Sequence, residues 1–157
     1  MSAQGTKVAY ALSTEGSGMA QTARVRGTRH VIEVDAVPAF GGKDGAPGPL
    51  AYALAALTSC SQITAQAAAQ QLGIHIERIS FELESEIDLA LLLGATPQGR
   101  PDFQAVDVQV TVHTDAGAEA VARLQAETER RCPVYQLFTR SGVPMRSRWT
   151  AVPPAAR

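Results

Sequence analysis

Between Asp44 and Glu77 the chain carries no Lys, Arg, Asp or Glu. The middle of that stretch has the composition of a helix. Eight alanines lie between Leu50 and Leu72, with leucines at 50, 54 and 57. Pro49 suits the first helical position and Gly73 the residue after the last turn. The pattern predicts one helix over 49–72, about 34 Å long at about 1.5 Å per residue. A surface helix has a charged face. This one offers solvent only Thr, Ser and Gln, so it must be covered on most sides. A chain of 157 residues cannot easily wrap so long a helix alone, and Ala faces permit close approach. The helix is therefore expected to pack partly against a second copy, in a homodimer.

The length sets one domain over 1–157, with the Val-Pro-Pro-Ala-Ala-Arg tail, residues 153–157 in particular, expected to fray. Fourteen Lys and Arg stand against fifteen Asp and Glu, a net charge of −1. Phosphate neutralisation needs a basic surface, so nucleic acid is not an expected partner. No apolar run reaches about 20 residues, so no membrane span is expected. The N-terminus lacks a basic-then-apolar signal segment, which makes the cytoplasm the expected compartment.

The first third reads as strands. Lys7–Ser13 is an apolar-rich run ended by Glu15-Gly16-Ser17-Gly18. Gln21–Arg26 and Arg29–Asp35 flank Gly27-Thr28, which predicts a hairpin. Phe40–Pro49 is a glycine- and proline-rich loop without the order of a phosphate loop. After the long helix, residues 74–86 alternate, with Ile79, Phe81 and Leu83 on one face. Residues 88–101 read as a loop. Phe103–His113 alternates again, with Val106, Val108, Val110 and Val112 inward. Asp115 is the expected cap of a helix running to Arg131, with Ala118, Val121, Ala122, Leu124 and Gln125 as its core stripe. Pro133 opens a short helix to Arg140, and Pro144–Val152 is a last strand. Strands and helices are grouped rather than alternating, which predicts α+β with antiparallel sheet.

Few residues offer chemistry. His30, His75 and His113 are scattered over separate strands with no CxxC or HExxH, so neither metal nor cofactor is expected. Glu82, Glu84 and Glu86 lie on one strand face and read as solvated. The two cysteines, Cys60 and Cys132, are either buried small hydrophobes or redox or nucleophilic groups. Cys60 has Ala56, Leu57, Ile63 and Thr64 as helical neighbours. That apolar face would raise its pKa. Cys132 precedes Pro133 at a helix N-terminus, beside Arg130 and Arg131. On local chemistry it is the more activated thiol.

The loop beginning Gly41-Gly42, the run Gly48-Pro-Leu-Ala-Tyr-Ala-Leu-Ala-Ala-Leu-Thr-Ser-Cys60, and Cys132-Pro133-Val134 some seventy residues later resemble the OsmC/Ohr family of thiol peroxidases, and within it the OsmC-like branch. The resemblance covers roughly residues 20–152. It implies an OsmC-like fold, with antiparallel sheets around a long central helix, in an intertwined homodimer. It implies that Cys60 is the peroxidatic thiolate, attacking a small hydrophobic (alkyl or fatty-acid) hydroperoxide at the dimer interface. Cys132 would then resolve the sulfenic acid as a disulfide, reopened by a dithiol reductant of lipoyl type or another. This order reverses the local ranking of the two thiols. The resemblance also implies an Arg beside the thiolate, held by a Glu just after the helix-opening Pro. This chain has Pro49-Leu50-Ala51 there, and the candidate arginines are Arg24, Arg26 and Arg29. Without the Glu, Cys60 is expected to keep a pKa near or above the free value of about 8.5. The alternative is a non-catalytic or weakly active stress or ligand-binding protein on the same scaffold, with an apolar pocket for a hydrophobic ligand.

Overall fold

The computed structural model describes residues 7–154. Residues 1–6 and 155–157, the latter within the tail expected to fray, lie outside the described residues. The chain divides into two compact units, Met1–Ala53 and Leu54–Arg157.

The first unit holds an antiparallel sheet of β1 (Leu12–Ser17), β2 (Ala20–Val25) and β3 (Val31–Val34), in that order. β1 begins later than the sequence predicts. Gly16 and Ser17, expected in a turn, pair with Gln21 and Ala20, and the chain reverses at Gly18-Met19 instead. The predicted hairpin of β2 and β3 is present, with Arg24 opposite Val31. Its loop is wider than two residues. The Thr28 hydroxyl donates to the Val25 carbonyl at 3.0 Å and accepts the His30 amide at 3.0 Å.

Asp35, which the sequence offers only as a strand end, organises the glycine-rich loop. One carboxylate oxygen accepts the Ala36 amide at 2.8 Å. The other accepts those of Lys43 at 3.1 Å and Gly45 at 3.0 Å. The Gly45 and Ala36 amides hold its pKa below the ordinary carboxylate range, against a smaller opposing effect of burial, and the Lys43 amide and charge add to the lowering. Gly41 has φ +82, a conformation that costs a glycine little. Gly42 lies so close to Ala36 that a Cβ would stand 1.8 Å from the Ala36 carbonyl oxygen.

α1 spans Pro49–Leu72, as predicted, and Gly73 follows it at φ +67. From Leu54 onward it belongs to the second unit. There β4 (Arg78–Ile87), β5 (Phe103–His113) and β6 (Met145–Val152) form a sheet in that order. β4 and β5 pair antiparallel. β6 lies parallel to β5, where the sequence predicts antiparallel sheet. The physical reason is the connection. A parallel neighbour needs a crossover of a dozen residues or more, and α2 (Ala118–Arg131) and α3 (Pro133–Arg140) supply it. α2 starts from Gly117 with no side-chain cap, so Asp115 is not the cap. Thr114 shapes that turn instead, accepting the Ala116 amide at 3.1 Å and donating to the His75 carbonyl at 2.6 Å.

The core of this unit forms where Leu57, Ala68 and Ala69 of α1, the four inward valines of β5 and Val121 and Leu124 of α2 meet. Each valine so buried contributes about 1.5 kcal/mol or more. Thr128 completes the α2 stripe, its hydroxyl bonded to the Leu124 carbonyl at 2.7 Å; Ala118 and Ala122 are exposed. The chain is thus mixed α+β, with two small sheets and three α-helices among the described residues. No described helix is long and apolar enough to cross a membrane.

Candidate functional site

Cys60 lies at the middle of α1 and is half-buried, while Cys132, between α2 and α3, is fully buried. The fold brings them side by side. Cys132 is close enough to Cys60 to act directly on its thiol. The first turn of α3 serves both sulfurs. The Val134 amide approaches Cys60, and the Tyr135 amide donates to Cys132 Sγ at 3.4 Å. Helix N-terminal amides that lack an intrahelical acceptor are suited to this. Ser61, also buried, stands with its Oγ 3.7 Å from Cys132 Sγ.

Burial pushes the Cys60 thiol above its ordinary pKa. The Val134 amide opposes this, while the hydrogen bond and charge of Cys132 reinforce it. Thr64 assists least, because its single hydroxyl hydrogen goes to the Cys60 carbonyl at 2.8 Å. None of the groups acting most strongly on this thiol is a cation. The direction agrees with the apolar helix face read from the sequence.

Arg130 and Arg131 do not serve Cys132 as their adjacency suggests. Arg130 pairs with Glu127 at 2.8 Å, and Arg131 pairs with the same carboxylate. The two guanidiniums hold Glu127 down at a pKa of about 2. Glu127 lies three and four residues back on α2, where side chains share a face. Arg24, Arg26 and Arg29 belong to the first unit, are all exposed, and form no ion pair among the described residues. Glu82, Glu84 and Glu86 are exposed, as read. His113 sits at the end of β5, its Nε2 2.8 Å from an Arg78 guanidinium nitrogen.

Beside the thiols is a cleft of about 10 Å³ lined by Leu57, Ser61, Phe81, Glu129, Tyr135 and Trp149, among others. Tyr135 is pushed up to about 12 by burial first, then by the charge and hydrogen bond of Glu129. Phe81 and Trp149 meet edge to face, ring centres 6.2 Å apart. The Tyr135 amide is the N-terminal amide of α3 that the position of Cys132 before Pro133 predicts. Sequence reading missed Ser61 and Val134 as neighbours of the thiols, because their role depends on α3 docking beside α1.

The family model described as OsmC-like protein matches residues 41–148. Among solved structures, an OsmC-like protein from Mycoplasma pneumoniae superposes with a TM-score of 0.78 at 19% identity, covering 94% of this chain and 99% of the other. A Legionella pneumophila protein described as organic hydroperoxide resistance protein OsmC gives 0.65 at 20% identity, over 92% of this chain and 99% of that one. An organic hydroperoxide resistance protein from Elizabethkingia anophelis gives 0.68 at 14% identity, over 94% and 100%. No curated protein matches the sequence. With the family model spanning well over half of the chain and the fold shared along nearly all of it, the chain belongs to the OsmC-like family.

Proposed function

We propose that the chain is a thiol-dependent reductase of organic hydroperoxides, with Cys60 as the attacking and Cys132 as the resolving thiol. One observation carries the proposal: two thiols 72 positions apart in sequence are brought together as neighbours, one half-buried and one fully buried. The Cys60 thiolate attacks the distal oxygen of the hydroperoxide, the O–O bond breaks, and the alkoxide leaves as the alcohol after taking a proton. Cys60 becomes a sulfenic acid. Cys132 then attacks its sulfur, releasing water and forming a disulfide, and an external dithiol returns both to thiols. Two structural neighbours are described as organic hydroperoxide resistance proteins, which favours that substrate class. A reducing compartment, the cytoplasm, fits the reductant requirement.

A weakly active stress or ligand-binding protein is the second reading. It is favoured by the raised Cys60 pKa without a cation among its strongest neighbours, and by Leu50-Ala51 after Pro49. Free-thiol titration before and after one equivalent of cumene hydroperoxide separates the two. The expected result is loss of both thiols, with a rate that climbs about tenfold per pH unit from about pH 7, because a raised pKa leaves only a small thiolate fraction at neutrality. Retention of both thiols over hours at pH 9 would leave the ligand-binding reading standing. A rate already level below pH 7 would mean that some group, such as Arg24, Arg26 or Arg29 or a residue of a second copy, lowers the Cys60 pKa.

The proposed assembly is a homodimer. Among the described residues of the first unit only Ala23 and Asp35 are buried, while Tyr10 is 89% exposed and Val8 67%. On α1, Ile63 is 72% exposed amid an uncharged face. A three-stranded sheet without a core of its own, and a helix face without charge, call for a covering surface. Light scattering at micromolar protein is expected to give twice the chain mass of 16.5 kDa; a folded monomer would refute the dimer.

A further inference from the structure

Four of the hydroxyls on α1 lie within two turns of Cys60, and they are used differently. Thr58, Ser59 and Thr64 each donate to a carbonyl of the preceding turn, those of Ala55, Ala56 and Cys60, at 3.1, 3.3 and 2.8 Å. This is the ordinary fate of a helical hydroxyl. Ser61 is only 6% exposed, and its partner is Cys132 Sγ at 3.7 Å. The same sulfur accepts the Tyr135 amide at 3.4 Å. Two groups from two helices therefore converge on one buried thiol. A buried hydroxyl that lost this partner would be left unsatisfied at a real cost.

We propose that Ser61 is the positioning residue for the resolving thiol: its hydroxyl and the Tyr135 amide together fix Cys132 Sγ toward Cys60 and donate to it as it attacks. The proposal rests on the resolving role given above to Cys132, though not on peroxide being the oxidant. In the resolving step the Cys132 proton leaves and a sulfur lone pair forms the bond to Cys60 sulfur. The bond from Cys60 to its leaving group breaks, and that group departs with the electron pair. While the thiol holds its proton, either Ser61 or Cys132 can be the donor between them. Once the proton has gone, only the hydroxyl can donate, so the bond strengthens as negative charge gathers on Cys132. That is the difference between ground and transition state that accelerates a step.

The test separates the two sulfurs in time without using peroxide. Dithiobis(nitrobenzoate) reacts first with Cys60, the half-exposed thiol, releasing one coloured thiolate; attack by Cys132 on the mixed disulfide then releases a second. Ser61→Ala is expected to leave the first release unchanged and to slow the second about tenfold, a barrier change of about 1.4 kcal/mol. Ser61→Thr, which keeps the hydroxyl, is expected to restore most of the rate. A second release that is unchanged in Ser61→Ala, or slowed only in step with the first and with a fall in Tm, would overturn the assignment, as would a wild-type protein that shows no second release. Should the protein fail to consume cumene hydroperoxide while the second release still depends on Ser61, the peroxidase reading falls and this one stands.

Discussion

Cys60→Ser is expected to reduce hydroperoxide consumption to the uncatalysed level. Cys132→Ser is expected to preserve one stoichiometric reaction and then stop. The asymmetry follows from access and from bond chemistry. Cys132 is fully buried, so a hydroperoxide meets the half-buried Cys60 first. A serine hydroxyl at position 60 has no thiolate to offer an electrophilic oxygen, and the thiol that remains beside it, Cys132, is fully buried. In Cys132→Ser the first step needs nothing from position 132, and the sulfenic acid that forms has no thiol to condense with. It should persist long enough to be trapped by a dione and weighed by mass spectrometry. Removing Cys132 also removes the hydrogen bond and charge that help to raise the Cys60 pKa, so the first reaction should run at least as fast as in the wild type. A Cys60→Ser protein that still consumes one equivalent, with the trapped acid on Cys132, would show that the amides at the start of α3 outweigh access and that the two roles are exchanged.

Much of the scaffold around this pair was legible in residue order. Pro49 and Gly73 mark both ends of α1 because each does something local: one needs no amide partner, the other adopts φ +67. The four valines of β5 were legible by alternation. What could not be read depends on partners distant in sequence. β1 takes in Gly16 and Ser17 because β2 is there to pair with them, although alone they signal a turn. The parallel β6 is set by the crossover of α2 and α3, not by any residue within the strand. Arg130 and Arg131 looked like activators of Cys132 from adjacency; Glu127 on the same helix face holds both. Helical spacing alone was enough to find that pairing. The apolar surroundings of Cys60 were visible from its neighbours at three and four positions, and the direction of its pKa follows from them. Ser61 gave no sequence signal, since its neighbour arrives from 71 residues away.

The largest expected effect on stability lies at Gly42 rather than in the valine core. A Cβ there would stand 1.8 Å from the Ala36 carbonyl oxygen, 2.4 Å from its carbon and 2.8 Å from its Cα. All three are backbone atoms, so no side-chain rotation relieves the overlap. Ala36 is itself pinned, since its amide donates to Asp35 and its carbonyl accepts the Asp44 amide at 3.0 Å. Moving it would break the set of amide bonds by which Asp35 holds the loop. Gly42→Ala is therefore expected to destabilise by about 3 kcal/mol or more, at the upper end of overpacking costs. The neighbouring glycines give the controls. Gly41→Ala has room, its Cβ 3.9 Å from Met19 Cε, but must hold φ +82, which costs about 1 kcal/mol. Gly45→Ala meets only Asp35 Oδ2 at 3.5 Å, an ordinary contact, and its φ lies outside the left-handed region, so it should change stability by less than about 0.5 kcal/mol. Urea unfolding of the three variants, with amide exchange at Lys43 and Gly45 as the local readout, is expected to rank them 42, 41, 45. If Gly42→Ala proved as mild as Gly45→Ala, the close approach to Ala36 would not be a fixed feature of this loop, and Asp35 could not be holding it as described.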